Sequence, residues 1–296
     1  MNMRICLLWQ VLAVLVIGII PMNGLAQDKP TVNNRVCITF DNLPAENYYT
    51  REERIDITDS ILAALDRHGA KAVGFVVGEH VAGDWDLLIK WLDRGHVLGF
   101  QTFSGQNIYD APPEVFIGDI AKGRDAIEDI LEVYRIGDRY FRYPLLHYGD
   151  EYDVKMQIET YLYENEMTAV PATILVEDFV YNLSLENLLK RRDSAGVEQL
   201  RGEYVEHILS RVAAAEDLAM EVVGRPVRHI LQLRASRLNG LFLEDVLKTL
   251  EEKGYKFITL NTALKDDIYQ WADNYFGHKV VSFLDRIREP KVIDKK

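Results

Sequence analysis

The sequence predicts an α/β protein, a distorted (β/α) barrel of about seven parallel strands, and three observations support this. Short apolar, β-branched segments alternate with amphipathic helical segments from Val36 onward. About seven such units follow one another, and no Pro-, Gly- or Ser-rich linker divides them. Regular alternation of this kind indicates a parallel sheet covered by helices. We therefore expect one domain over residues 35–290, with an open doubly wound sheet as the alternative.

Hydrophobic spacing sets the individual elements in chain order. The first strand, 36–40, leads to a helix at 54–68 that ends at Gly69 and places Ile57, Ile61 and Leu65 on one face. Further strands are predicted at 72–77, 97–100, 140–142, 168–175 (interrupted by Pro171), 229–233 and 256–260. The remaining helices are predicted at 85–94, 114–134, 152–165, 203–223 and 242–253.

The N-terminal segment 1–26 has the pattern of a cleavable secretory signal. Arg4 precedes an apolar run from Ile5 to Ile20, and the small-residue site Gly24-Leu25-Ala26 predicts cleavage before Gln27. A retained membrane anchor is the competing interpretation, but the run falls short of the roughly 18 to 20 residues that a span needs. We therefore expect a secreted or periplasmic protein without a stable membrane span after cleavage.

Charge and cysteine content narrow the function further. The formal charge of -12 becomes -13 without Arg4, and such an acidic balance disfavours nucleic acid as a partner. Cys6 lies in the signal segment, so Cys37 alone remains and no internal disulfide forms. Cys37 sits in an apolar strand and is expected to be a small buried residue.

Polar residues follow the ends of several predicted strands. Asp41 and Asn42 follow the first strand, Gln101 follows the third, and Arg142 and Arg234 close later ones. In parallel barrels the carboxyl ends of the strands converge on one face, so we expect a pocket there.

The motifs that carry these residues resemble, in order and spacing, those of the polysaccharide deacetylases, the NodB-homology family of the carbohydrate esterase type. They are Thr39-Phe40-Asp41-Asn42, Gln101-Thr102-Phe103-Ser104-Gly105, Phe141-Arg142-Tyr143-Pro144, Glu177-Asp178-Phe179 and Leu231-Gln232-Leu233-Arg234. The resemblance covers nearly all of residues 35–290 and implies a glycoside hydrolase/deacetylase-like barrel. It also implies a polysaccharide or amino-sugar glycan as partner and hydrolysis of a carbon-nitrogen, non-peptide bond as the family reaction.

The resemblance implies catalytic positions at Asp41, the general base, and at Arg142 and Asp178, which orient the base and shape the pocket. A loop or capping role for Asp41, or an ordinary ion pair between Arg142 and Asp178, is the structural alternative. Phe103, Tyr143 and Phe179 are candidates for stacking on sugar rings, with simple packing as the alternative.

Four positions depart from the family pattern. Asn42 stands at the metal-ligand Asp, Gln101 and Gly105 stand at the two His ligands, and Arg234 stands at the general-acid His. A catalytic divalent metal needs about three good protein ligands. We therefore predict that the family zinc, or a similar metal, is lost, that no cofactor replaces it, and that Arg234 fills part of its place and pairs with Asp41.

Two functions follow from these expectations. The first is a metal-less pseudoenzyme that binds an N-acetylated glycan. The alternative is an active hydrolase that removes acetyl groups from amino sugars with Asp41 as base and a weak cation or Arg234 as oxyanion stabiliser. A purely structural or regulatory partner protein is a third possibility.

Overall fold

The computed structural model describes residues 34–273 and 275–288, so the predicted signal segment 1–26 lies outside the described residues. The strands are Arg35–Leu43 (β1), Ala72–Val76 (β2), Val97–Phe100 (β3), Arg139–Phe141 (β4), Met167–Ala169 (β5), Ile174–Leu175 (β6), Arg228–Arg234 (β7) and Lys256–Phe257 (β8). The helices are Arg51–Arg67 (α1), Trp85–Asp93 (α2), Pro113–Val133 (α3), Tyr152–Glu164 (α4), Asp178–Lys190 (α5), Ser194–Val222 (α6), Arg237–Glu252 (α7), Leu260–Ala263 (α8) and Phe283–Arg288 (α9).

The strands form one parallel sheet that curls into a distorted barrel. Its order is β5-β4-β3-β2-β1-β7-β6, and β8 pairs with the first residues of β1. β1 lies at the centre, where its residues from Val36 to Phe40 are fully buried. Strands covered on both faces have continuous apolar sequences of this kind. The predicted fold class is confirmed.

The predicted strand 168–175 is instead two short strands separated by residues 170–173. Pro171 has no N–H to donate to a sheet, which explains the interruption. On either side of it, the Val170 N–H donates to the Phe141 carbonyl (2.8 Å) and the Thr173 N–H donates to the Ile230 carbonyl (3.0 Å). The segment therefore crosses from the β4 edge of the sheet to the β7 edge.

The predicted helix 203–223 is longer, and a second helix precedes it. α6 begins at Ser194, because the carboxylate of Asp193 caps it by accepting from the Gly196 N–H (2.9 Å). Arg192 has a left-handed φ of 54° that separates α6 from α5. α5 begins at Asp178, so this predicted site residue lies in the first turn of a helix.

The C-terminal residues close the gap between β5 and β6. The Phe283 N–H at the start of α9 donates to the Ala172 carbonyl (2.8 Å). Phe283, Leu284 and Ile287 pack with Ala219 of α6 in a small apolar cluster. We call this closure, made by 170–173 and α9, the seam of the barrel.

Within residues 34–273 and 275–288, no helix combines the length and the apolar character that a membrane crossing requires.

Candidate functional site

The predicted site residues lie at the carboxyl edge of the sheet. Asp41 is in the last turn of pairing of β1, opposite Arg234 at the end of β7. Gln101 directly follows β3 and Arg142 directly follows β4. Asp178 comes three residues after β6. The parallel topology therefore places these side chains along one edge, as the sequence predicts.

Asp41 is almost completely buried and is held by two neighbours. The Gln232 Nε2 donates to Asp41 Oδ2 (2.9 Å), and the Arg142 Nη1 lies 3.7 Å from Asp41 Oδ1, close enough for an ion pair but too far for a hydrogen bond. Burial raises the pKa of Asp41, and the positive charges of Arg142 and Arg234 offset part of that rise. Asp41 is therefore a carboxyl group whose charge depends on its two neighbours.

Arg142 is fully buried beneath this carboxylate. Its Nη2 donates to the Thr39 hydroxyl (3.1 Å), and its guanidinium lies 4.4 Å from the centre of the Phe75 ring. Its Nε and Nη1 have no hydrogen-bond acceptor among the described residues. Arg142 therefore pairs with Asp41, not with Asp178, so the alternative of an Arg142–Asp178 pair is wrong.

Asp178 is the centre of a second buried network. Its Oδ1 accepts from Arg234 Nη1 (2.8 Å), and its Oδ2 accepts from the Arg234 N–H (2.7 Å) and from Asn239 Nδ2 (2.8 Å). The Tyr204 hydroxyl donates to Asn239 Oδ1 (2.7 Å) and fixes its amide. Our prediction that Arg234 pairs with Asp41 is wrong, because the first turn of α5 presents Asp178 to Arg234 at closer range.

The positions predicted to replace metal ligands do not form a metal site. Asn42 has a left-handed φ of 64°, and its Nδ2 donates to Glu46 Oε1 (2.6 Å). Gln101 is 2% exposed, and its Oε1 has no donor among the described residues. Gly105 has no side chain and a φ of 69°. These donors do not fit a catalytic zinc ion, which requires His, Cys or carboxylate ligands.

The three predicted stacking residues have different environments. Phe179 is 54% exposed and packs 5.1 Å from the Arg234 guanidinium, and Phe103 is 37% exposed. Tyr143 is 2% exposed and lies among Phe141 and Tyr148. A ring buried in this way has no free face for a sugar, which corrects the expectation for Tyr143.

A groove of about 960 Å³ opens beside this site. Of the predicted residues, Asn42, Asp178, Phe179 and Arg234 line it. Asp41, Gln101, Gly105, Arg142, Phe103 and Tyr143 are not part of its lining. The structure thus divides the predicted site into a groove surface and a buried layer around Asp41.

Several groove residues were not predicted. Tyr48 is 67% exposed and Leu145 is 50% exposed, and both line the groove together with Glu46 and Arg237. The pair Tyr48-Tyr49 in the loop after β1 is the sequence signal that would have indicated them, since loops after barrel strands carry binding residues. Gln232 has a similar signal, because it is a polar residue inside an otherwise apolar strand.

Comparison with known proteins defines the class. Residues 28–161 match the sequence model of the polysaccharide deacetylase family, and this part of the chain therefore belongs to that family. A peptidoglycan-N-acetylglucosamine deacetylase of Listeria monocytogenes, PgdA, is 27% identical over 101 residues, which is 34% of this chain and 20% of that protein. The chain thus aligns with about a fifth of the length of the curated relatives it matches.

Solved structures of the same class share the fold. The polysaccharide deacetylase Bc1974 from Bacillus cereus matches with a TM-score of 0.56 and 18% identity, over 76% of this chain and 91% of that one. BA3943 from Bacillus anthracis, a pseudoenzyme of carbohydrate esterase family 4, matches with a TM-score of 0.55 and 16% identity, over 79% of this chain and 66% of that one. The fold alone is common to an active and an inactive relative, so the side chains must decide between them.

Proposed function

We propose that this protein is a metal-less pseudoenzyme of the polysaccharide deacetylase family that binds an N-acetylated glycan in the groove beside Asp178 and Arg234. The observation that carries the proposal is the side chain of Asn42, which is turned to Glu46 instead of towards a cation. Gln101 and Gly105 supply no ligand that zinc prefers. The chemistry that the family metal provides is therefore not supported by these residues.

The groove supports binding of a sugar chain. Its walls combine the exposed aromatic rings of Tyr48 and Phe179 with the apolar side chain of Leu145 and several polar groups. Mixed aromatic and polar linings of this kind are typical of ligand sites. An aromatic ring can pack on the apolar face of a sugar while nearby amides and charges bind its hydroxyl groups.

Two measurements on the purified protein test this proposal. Elemental analysis and calorimetric titration with zinc should detect no tight metal, and hexamers of N-acetylglucosamine should bind saturably. Phe179→Ala should weaken binding, whereas Phe103→Ala, an exposed aromatic outside the groove, serves as the matched control. Stoichiometric zinc held at micromolar affinity, or equal binding by Phe179→Ala and the unchanged protein, would contradict the proposal.

A second candidate is a surviving hydrolase with Asp41 as general base. It is favoured by the raised pKa of Asp41 and by its Oδ1, which accepts no hydrogen bond from the described residues. Release of acetate from a chromogenic acetyl ester, abolished by Asp41→Asn, would establish this activity. We also propose, from the signal-like segment 1–26, that the protein acts outside the cytoplasm; fractionation of cells that express the full chain tests this.

A further inference from the structure

We infer that the groove binds a glycan in which at least one sugar carries a free amino group, and that the carboxylate of Glu46 pairs with this ammonium. The inference rests on the proposed function, because it specifies which sugar the same groove recognises. It concerns a partly or fully de-N-acetylated amino sugar in place of an entirely acetylated chain.

The first step is the pairing of charges in the groove. Its lining contains four carboxylates and three cations, namely Glu46, Glu53, Asp178, Glu186, Lys190, Arg234 and Arg237. Arg237 pairs with Glu53 and Glu186, and Arg234 pairs with Asp178. Among the residues that the structure describes, Glu46 and Lys190 have no ion-pair partner.

Lys190 has a local role, and Glu46 has none of that kind. Lys190 is exposed in the last turn of α5, where a positive charge is favourable beside the free carbonyl groups of the helix end. Glu46 lies in the loop between β1 and α1, ahead of Thr50, the residue that caps α1. It is partly buried, so its negative charge is less well solvated than that of an exposed glutamate.

The second step is the orientation of Glu46. Asn42 Nδ2 donates to Glu46 Oε1 (2.6 Å), and the left-handed backbone of Asn42 fixes the direction of that amide. Glu46 Oε2 accepts no hydrogen bond from the described residues. The ring of Tyr48, two residues further on, is 67% exposed in the same groove. A fixed carboxylate beside an aromatic face is the arrangement that binds an ammonium group.

A divalent cation fits this position poorly. Glu46 and Asn42 offer few oxygen donors, whereas calcium takes six to eight and magnesium about six. Within residues 34–273 and 275–288, no three His, Cys, Asp or Glu side chains are placed to hold a metal ion together. An ammonium group needs only one carboxylate and a few acceptors.

Binding of two hexasaccharides at a mildly acid pH tests the inference. The hexamer of glucosamine and the hexamer of N-acetylglucosamine are titrated into the unchanged protein, into Glu46→Gln and into Glu186→Gln. Both substitutions remove one negative charge from the groove, but Glu186 already pairs with Arg237. Glu46→Gln keeps an amide oxygen for Asn42, and its melting temperature is measured to confirm that it folds.

We expect the glucosamine hexamer to bind about fivefold more tightly, which corresponds to about 1 kcal/mol for one ion pair that is not fully exposed. Glu46→Gln should abolish this preference and Glu186→Gln should retain it. An equal loss in both variants would show a general effect of negative charge and would overturn the inference. Equal or tighter binding of the acetylated hexamer would overturn it while the proposed function stands, and absence of binding by both hexamers would overturn both.

Discussion

The pair between Arg234 and Asp178 should stabilise the fold measurably. Arg234→Met removes the hydrogen bond from Nη1 to Asp178 Oδ1 and leaves a carboxylate that is 1% exposed without its counter-charge. A charge-assisted hydrogen bond contributes about 2 kcal/mol. The guanidinium also packs on Phe179, which adds about 0.5 to 1 kcal/mol. The free energy of unfolding should therefore fall by about 3 kcal/mol.

The choice of rescue partner distinguishes this arrangement from the one that the sequence predicted. Asp178→Asn should recover most of the loss in the Arg234→Met background. The oxygen of an amide at 178 can replace Oδ2, which accepts from the Arg234 N–H and from Asn239, and no charge is then buried. Asp41→Asn should not recover it, because Arg234 does not bond to Asp41.

Urea denaturation followed by far-ultraviolet circular dichroism measures these differences, provided that the slope m stays constant between variants. Arg67→Ala is the control, because its pair with Glu244 is largely exposed and should contribute less than about 1 kcal/mol. A loss below about 0.5 kcal/mol for Arg234→Met, or rescue by Asp41→Asn, would refute the reasoning.

Three further predictions follow from burial and backbone geometry. Burial lowers the pKa of both His96 and His229 to about 4, so each binds fewer protons in the folded than in the unfolded state; the free energy of unfolding should fall as the pH drops from about 6.5 towards 4, and His229→Gln should reduce that fall. Burial raises the pKa of Cys37 to about 12, so a thiol reagent followed by peptide mass spectrometry should label it only in denaturant; labelling at the same rate in the folded protein would contradict its position in the core. Gly105→His should lower the melting temperature, at a cost of about 1 kcal/mol or more, because a φ of 69° is strained for a side-chain-bearing residue; Gly118→His, at a glycine without a positive φ, is the control, and an equal loss there would contradict this cause.

The sequence predicted the sheet well because local patterns determine it. The apolar strand residues and the helix stops place Asp41, Gln101 and Arg142 on one edge without knowledge of any long-range contact. The break at Pro171 was visible, but the start of α5 was not, because no strong apolar period marks residues 178–190.

The partners within the site depend on contacts that the sequence does not display. Arg234 binds Asp178 because α5 begins at that residue and turns its carboxylate towards β7. Asn42 binds Glu46 because its backbone is left-handed, which an Asn tolerates but does not require. Tyr143 was expected at the surface, yet the aromatic residues around it bury its ring.

The seam has a consequence for the order in which the protein is made. The gap between β5 and β6 is closed by Phe283, and α9 also brings Arg286 into a buried pair with Asp273, whose carboxylate binds Lys155 of α4 as well. Every strand leaves the ribosome before α9 does. A nascent chain therefore carries the whole sheet with one side still open, and synthesis that stops short of residue 283 yields a product with that apolar side exposed to chaperones and proteases.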